Sequence, residues 1–150
     1  MKLAEALLLR ADLKKKLLSL RERIGRNAMV QEGEAPKEKV EDLLAEATSV
    51  LQEQQTLVRR INAANESVKL SDGRLLGDVL ALRETLIAQH SLLTSTIAAT
   101  HKDVDRYSQR EIKWVPQIHV ASVQKQADDL SRKIREVNVT VQAANWQIDI

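Results

Sequence analysis

From Val40 to Val68, apolar residues recur at intervals of three and four without a slip. They are Val40, Leu43, Ala47, Val50, Leu57, Ile61, Ala64 and Val68, with Gln54 as the one polar member of the series. This alternation keeps one face of an α-helix apolar along its whole length and excludes a half-buried strand, whose side chains repeat every two residues. Leu44, Leu51 and Val58 widen the stripe beyond a two-stranded seam, so this helix is expected to meet more than one neighbour. The pattern returns in Val120, Val123, Ala127, Leu130, Ile134, Val137, Val141 and Ala144. Each of these helices should run roughly 35–45 Å at 1.5 Å per residue.

The aromatic content explains what kind of core such helices can build. The chain has no Phe, one Tyr and two Trp, while 43% of its residues are hydrophobic and 29% charged. A globular core normally relies on aromatics for buried area. A core of Leu, Val, Ile and Ala instead suits helices facing each other at coiled-coil-like distances. Only four Gly and two Pro interrupt the chain, which leaves long uninterrupted segments.

Two more helices complete the reading. The first spans about residues 3–28, with Leu13, Leu17, Leu20 and Ile24 marking its face; a linker punctuated by Gly25, Gly33 and Pro36 follows. Pro36 suits the first turn of the second helix, over about 38–67, with Glu38 and Glu41 near its start. The third, over about 78–108, turns Val79, Leu82, Leu86, Leu93, Ile97 and Val104 inward, and the fourth covers about 120–145. Between the second and third, Asp72-Gly73 within VKLSDGRLLG predicts a small β-hairpin. Trp146, Ile148 and Ile150 alternate like a strand that adds to it. The expected fold is therefore mainly α: one elongated, antiparallel four-helix bundle over residues 1–150, with short β elements at its ends. Trp146 and Trp114 lie at opposite ends of the fourth helix, so each bundle end is expected to receive its own aromatic plug.

Several function classes are disfavoured. The absence of cysteine removes disulfides, thiolate metal sites and cysteine nucleophiles. A net charge of +2 is too small to imply nucleic acid. Its distribution is uneven, with eight Lys/Arg against three Asp/Glu in residues 1–30 and five against eight in residues 31–70. Pairing between the first two helices, or between subunits, accounts for that better than a polyanion footprint. Lys14, Lys15 and Lys16 read as a solvated helical face. Glu5 and Arg10 interrupt the apolar start, and no stretch approaches the ~18 apolar residues of a spanning helix. The expectation is a soluble cytoplasmic protein.

The candidate chemistry is thin. His90 and His101 share a helix face but lie ~16 Å apart along the axis, so one ion cannot bind both. His90 falls on the apolar stripe and reads as a hydrogen-bonded, register-setting residue. Ile87 and Ala98 stand three residues before His90 and His101, where a carboxylate di-iron bundle would carry Glu. The hydroxyls of Ser91, Thr94, Ser95, Thr96 and Thr100 have no readable base partner, and the scattered glycines form no phosphate loop. No catalytic residue, metal or cofactor is assigned. The richest polar–aromatic cluster is DRYSQREIKWVPQIH, the crossover joining the third and fourth helices. Tyr107, Arg110, Glu111, Lys113, Trp114 and His119 are the candidate rim for an interaction or ligand. The favoured arrangement is an intramolecular plug of Trp114 and Ile118, with an exposed docking strip as the alternative. If the cluster binds, a second subunit fits better than a small molecule, because nothing converges as catalysis requires.

The stretches MKLAEALLLRADL, RERIGRNAMVQEGEAP, SDGRLL, DRYSQREIKWVP, VQKQADDLSRKIRE and the closing ANW resemble, in order and spacing, the septicolysin-like family of small bacterial helical proteins. The resemblance implies a helical fold and transfers no catalytic site; its label implies a cytolysin. At His119 the family pattern has an acidic residue capping the fourth helix. The leading expectation is a non-enzymatic, self-associating structural or interaction protein that forms a homo-oligomer through helix faces. The alternatives are a membrane-active protein and, behind it, a metal- or ligand-binding enzyme using residues 105–119.

Overall fold

The computed structural model describes residues 1–101 and 112–150, and is mainly helical. Helix α1 is Leu3–Asn27, α2 Val40–Ser67, α3 Leu76–Ala98 and α4 Val120–Gln147. The chain divides into two compact units, one of Met1–Leu76 with Gln142–Ile150 and one of Gly77–Val141. No strand occurs among the described residues, only two isolated antiparallel bridges.

In the first unit, α1 and α2 form an antiparallel pair. Ala6, Leu13 and Leu20 are buried on α1, and Leu43, Val50, Leu57, Ile61 and Ala64 on α2. Most of these positions are seven apart, the interval that returns a side chain to the same face after two turns. Two ion pairs set the register: Lys16 Nζ lies 2.8 Å from Glu46 Oε1, and the Arg23 guanidinium holds Glu38. That register brings Leu20 level with Leu43 and Leu13 level with Val50. The uneven charge of the first 70 residues thus resolves partly into pairing between the first two helices.

Helix α2 begins at Val40, later than expected, and Pro36 stands outside its first turn. Asn27 donates through Nδ2 to the Arg23 carbonyl at 2.9 Å, and its Oδ1 accepts the Glu38 N–H at 3.1 Å. These bonds tie Glu38 to the end of α1, and Lys39 is the N-cap of α2.

The expected β-hairpin is absent. Its turn forms: Gly73 has φ +86°, its N–H donates to the Leu70 carbonyl at 2.9 Å, and Arg74 and Asp72 close the loop. Pairing stops at the single bridge Lys69↔Leu75. The Val68 N–H is still bonded to Ala64 of α2, and α3 starts at Leu76, so no residues remain for strands.

The closing residues do pair, but with a different partner from the one the pattern predicted. Lys2 bridges Asp149, the Leu3 N–H donates to the Ile148 carbonyl at 2.9 Å, and the Ile150 N–H donates to the Met1 carbonyl at 3.0 Å. Lys2 Nζ adds an ion pair to Asp149 at 2.8 Å, and Arg60 of α2 donates to the Ile150 carbonyl. Leu3, at 1% exposure, is buried there with Ala4, Ala6, Ala144 and Asn145. Aliphatic and small side chains fill this end, which leaves Trp146 57% exposed and not a plug.

In the second unit, α3 and α4 also run antiparallel. Arg83 Nε donates to Asn138 Oδ1 at 2.5 Å, and His90 Nε2 is hydrogen-bonded to Ser131 Oγ at 2.9 Å. His90 thus ties one helix to the other. Val79, Leu86, Ala127 and Val141 are buried. Helix α3 ends at Ala98 in a tightened turn, with the Thr100 and His101 N–H groups reaching back three residues. The expected continuation to 108 falls, from 102 onward, outside the described residues.

Candidate interaction surfaces

The hydroxyl-rich part of α3 is bonded to its own helix. Thr94 Oγ1 donates to the His90 carbonyl at 3.0 Å, Thr96 Oγ1 to Leu92 at 2.7 Å, and Thr100 Oγ1 to Ile97 at 2.7 Å. Such back-bonding uses the hydroxyl protons of these residues within the turn. Among the described residues no group of three or more His, Cys, Asp or Glu could hold a metal ion. No described helix is long and apolar enough to cross a membrane.

Of the predicted rim, Tyr107, Arg110 and Glu111 lie outside the described residues. Lys113 and Trp114 are exposed, and the favoured plug is contradicted: Trp114 is 72% exposed, between Ile112 at 76% and Val115 at 69%. Three large apolar side chains within four residues face solvent. Among the described residues this segment belongs to no helix or strand, and Pro116 blocks an early start to α4. Only Ile118, nearer α4, is half-buried.

His119 is exposed and caps α4. Its Nδ1 accepts the Ser122 N–H at 3.2 Å while its carbonyl accepts the Val123 N–H at 3.1 Å. This is the N-cap arrangement, with an imidazole in place of the usual short oxygen side chain. An imidazole nitrogen thus accepts the bond that a carboxylate oxygen would accept at this position.

The second unit also carries an open groove of about 440 Å³ between α3 and α4. Leu92, Leu93 and Leu130 line it together with Gln89, Asp129 and Lys133. Leu92 is 66% exposed and Leu82, on the same helix, 40%. Val79 and Leu86 are already buried, so α3 is apolar on more than the face it uses.

The first unit has two unlike sides. On one, Lys16–Glu46 and Arg23–Glu38 lace α1 to α2. These contacts hold both carboxyls below the usual range, in each case chiefly through the hydrogen bond from the cation. On the other side Leu44 and Leu51 stand 50% and 49% exposed. Breadth of the α2 stripe was legible in the sequence; that part of it stays open was not.

Antiparallel helix pairs that leave part of their apolar surface exposed define a mainly helical protein. The chain belongs to DUF6847, a family of unknown function, whose model matches residues 10–150. It is also similar to a functionally unknown conserved protein from Corynebacterium diphtheriae, known from a crystal structure, at 33% identity over 98% of this chain and 96% of that one, with a TM-score of 0.91. No curated protein matches it.

Proposed function

We propose that the protein is a non-enzymatic helical interaction protein that self-associates into a homo-oligomer. The observation that carries this reading is the exposed row Ile112, Trp114 and Val115. Contiguous large apolar residues on a surface are characteristic of a contact site, and Trp is the residue most enriched where contacts concentrate binding energy. The leucines of α3 and the α3–α4 groove offer helix-face area in the same unit for a coiled-coil-like contact.

Multi-angle light scattering across a wide concentration range tests the proposal. Mass above the 16.9 kDa of one chain, lost on joint Ile112→Ser and Trp114→Ser substitution, is the expected outcome. A single-chain mass at every concentration refutes it. The septicolysin-like resemblance makes membrane activity the alternative, and Trp114 beside Lys113 suits a bilayer interface. Leakage from anionic liposomes, abolished by the same substitutions, would favour that alternative.

A further inference from the structure

The open side of the α1–α2 pair carries more information than its exposed leucines. Helical periodicity and the antiparallel register place Arg10, Lys14, Leu17 and Arg21 of α1 on this side, facing Val40, Leu44, Ala47 and Leu51 of α2. Leu17, Val40 and Ala47 are half-buried at the floor, and Leu44 and Leu51 form one wall. Lys14 and Arg21 stand exposed on the opposite rim, with Arg10 half-buried a turn before Lys14. None of these three cations has an ion-pair partner among the described residues. Their neighbours Lys16 and Arg23, on the other side of the same helix, are both paired. The α2 rim is mostly neutral, with Thr48 and Gln55, and Glu41 near the connection.

We propose that this groove docks an amphipathic helix of a partner protein, one that lays apolar residues at heptad spacing against Leu17, Leu44 and Leu51 and presents carboxylates to Arg10, Lys14 and Arg21. The geometry selects the class of partner. Leu44 and Leu51 are seven apart, as are Lys14 and Arg21, so wall and rim both repeat at the interval of a packed helix. The span from Arg10 to Arg21 is ~16 Å, about three turns of an occupant. A bilayer would engage an outward ridge, whereas here half-buried Leu17, Val40 and Ala47 lie between the exposed leucines of α2 and the cations of α1. A second copy docked by this same face brings one basic rim toward another or toward neutral Thr48 and Gln55, which leaves the cations uncompensated. The inference concerns the first unit and stands apart from self-association through residues 112–115 in the second.

The test uses the full chain and a fluorescein-labelled amphipathic peptide with heptad leucines and flanking glutamates, alongside a twin with lysines in place of the glutamates. Fluorescence anisotropy should show the acidic peptide binding at least about tenfold more tightly than its twin, and more weakly as salt rises. Leu44→Glu with Leu51→Glu should abolish binding. Lys14→Glu with Arg21→Glu should invert the preference in favour of the basic twin, with circular dichroism confirming that each variant keeps its helix content. Equal affinity for the two peptides, or binding unchanged by the leucine substitutions, overturns the proposal. So does a result in which phosphatidylglycerol vesicles, or a second copy of the chain, bind this face and the acidic peptide does not.

Discussion

The register of the α1–α2 pair predicts a specific energetic coupling. Leu13 is 5% exposed and Val50 3%, and the Lys16–Glu46 ion pair one turn along places the two level. Truncating Leu13 to Ala in a packed interior should cost about 2–5 kcal/mol, from lost transfer energy and the cavity left behind. Leu18, five residues on and 60% exposed, should cost within about 0.5 kcal/mol for the same change. If Leu13 and Val50 share one cavity, Leu13→Ala and Val50→Ala will not add; the expected interaction energy is about 0.5–3 kcal/mol. Leu43 lies a heptad from Val50, ~10 Å along the axis, so Leu13→Ala and Leu43→Ala should add within about 0.5 kcal/mol. Urea unfolding followed by circular dichroism at 222 nm measures all of these variants. Additive Leu13 and Val50 effects, with coupling instead between Leu13 and Leu43, would refute the register and the core built on it.

Three further outcomes follow from local features. His119→Asp should stabilise the chain by about 0.5–1 kcal/mol, because a carboxylate is both a better N-cap and a favourable charge at a helix N-terminus; thermal melts read the gain, and a loss would show that His119 does more than cap. Gly25 lies inside α1 at ordinary φ and Gly73 at φ +86°, and neither has a heavy atom within 4 Å of an added Cβ. Gly25→Ala should therefore stabilise and Gly73→Ala destabilise, each by about 0.5–1 kcal/mol, and equal signs in a denaturant series would contradict the backbone assignment. Glu38, Glu46, Asp72 and Asp149 have carboxyls held below their ordinary values, each first of all by a hydrogen bond from a cation. A lowered folded-state value contributes stability that is present above the unfolded value and lost as pH falls through the folded one. Stability should thus decline below about pH 4.5, the ordinary Glu value, and a Glu38→Gln, Glu46→Gln pair should flatten that decline in pH-dependent urea melts.

What the sequence made legible was periodic. Val40 through Ala64 and Val120 through Ala144 announced long helices because a repeat of three and four is a property of the helix itself. The excess of cations before residue 30 and of anions after it anticipated Lys16–Glu46 and Arg23–Glu38. What stayed hidden depended on partners remote in the chain. The alternation in the closing residues marked an extended segment but not that it would meet Lys2. Asp72-Gly73 specified a turn, while helices pressing in from both sides removed the strands around it. Trp114 looked like buried area because tryptophan usually supplies it, yet nothing local said which way an irregular segment turns its side chains. His119 concealed its role because imidazole is an uncommon cap.

The contact between Met1–Leu3 and Ile148–Ile150 has a consequence for synthesis. Leu3 is among the most deeply buried residues of the chain, and its bond to Ile148 spans 145 positions. At a translation rate of about 5–20 residues per second, Leu3 is made roughly 7–30 s before the residue that covers it. During that interval the first turn of α1 can gain helical bonds but not its final seal. Loop-closure entropy rises only as the logarithm of length, so the long separation adds little to the equilibrium cost of the contact. Its effect is temporal: for many seconds a nascent chain carries the turn around Leu3 without the residues that cover it.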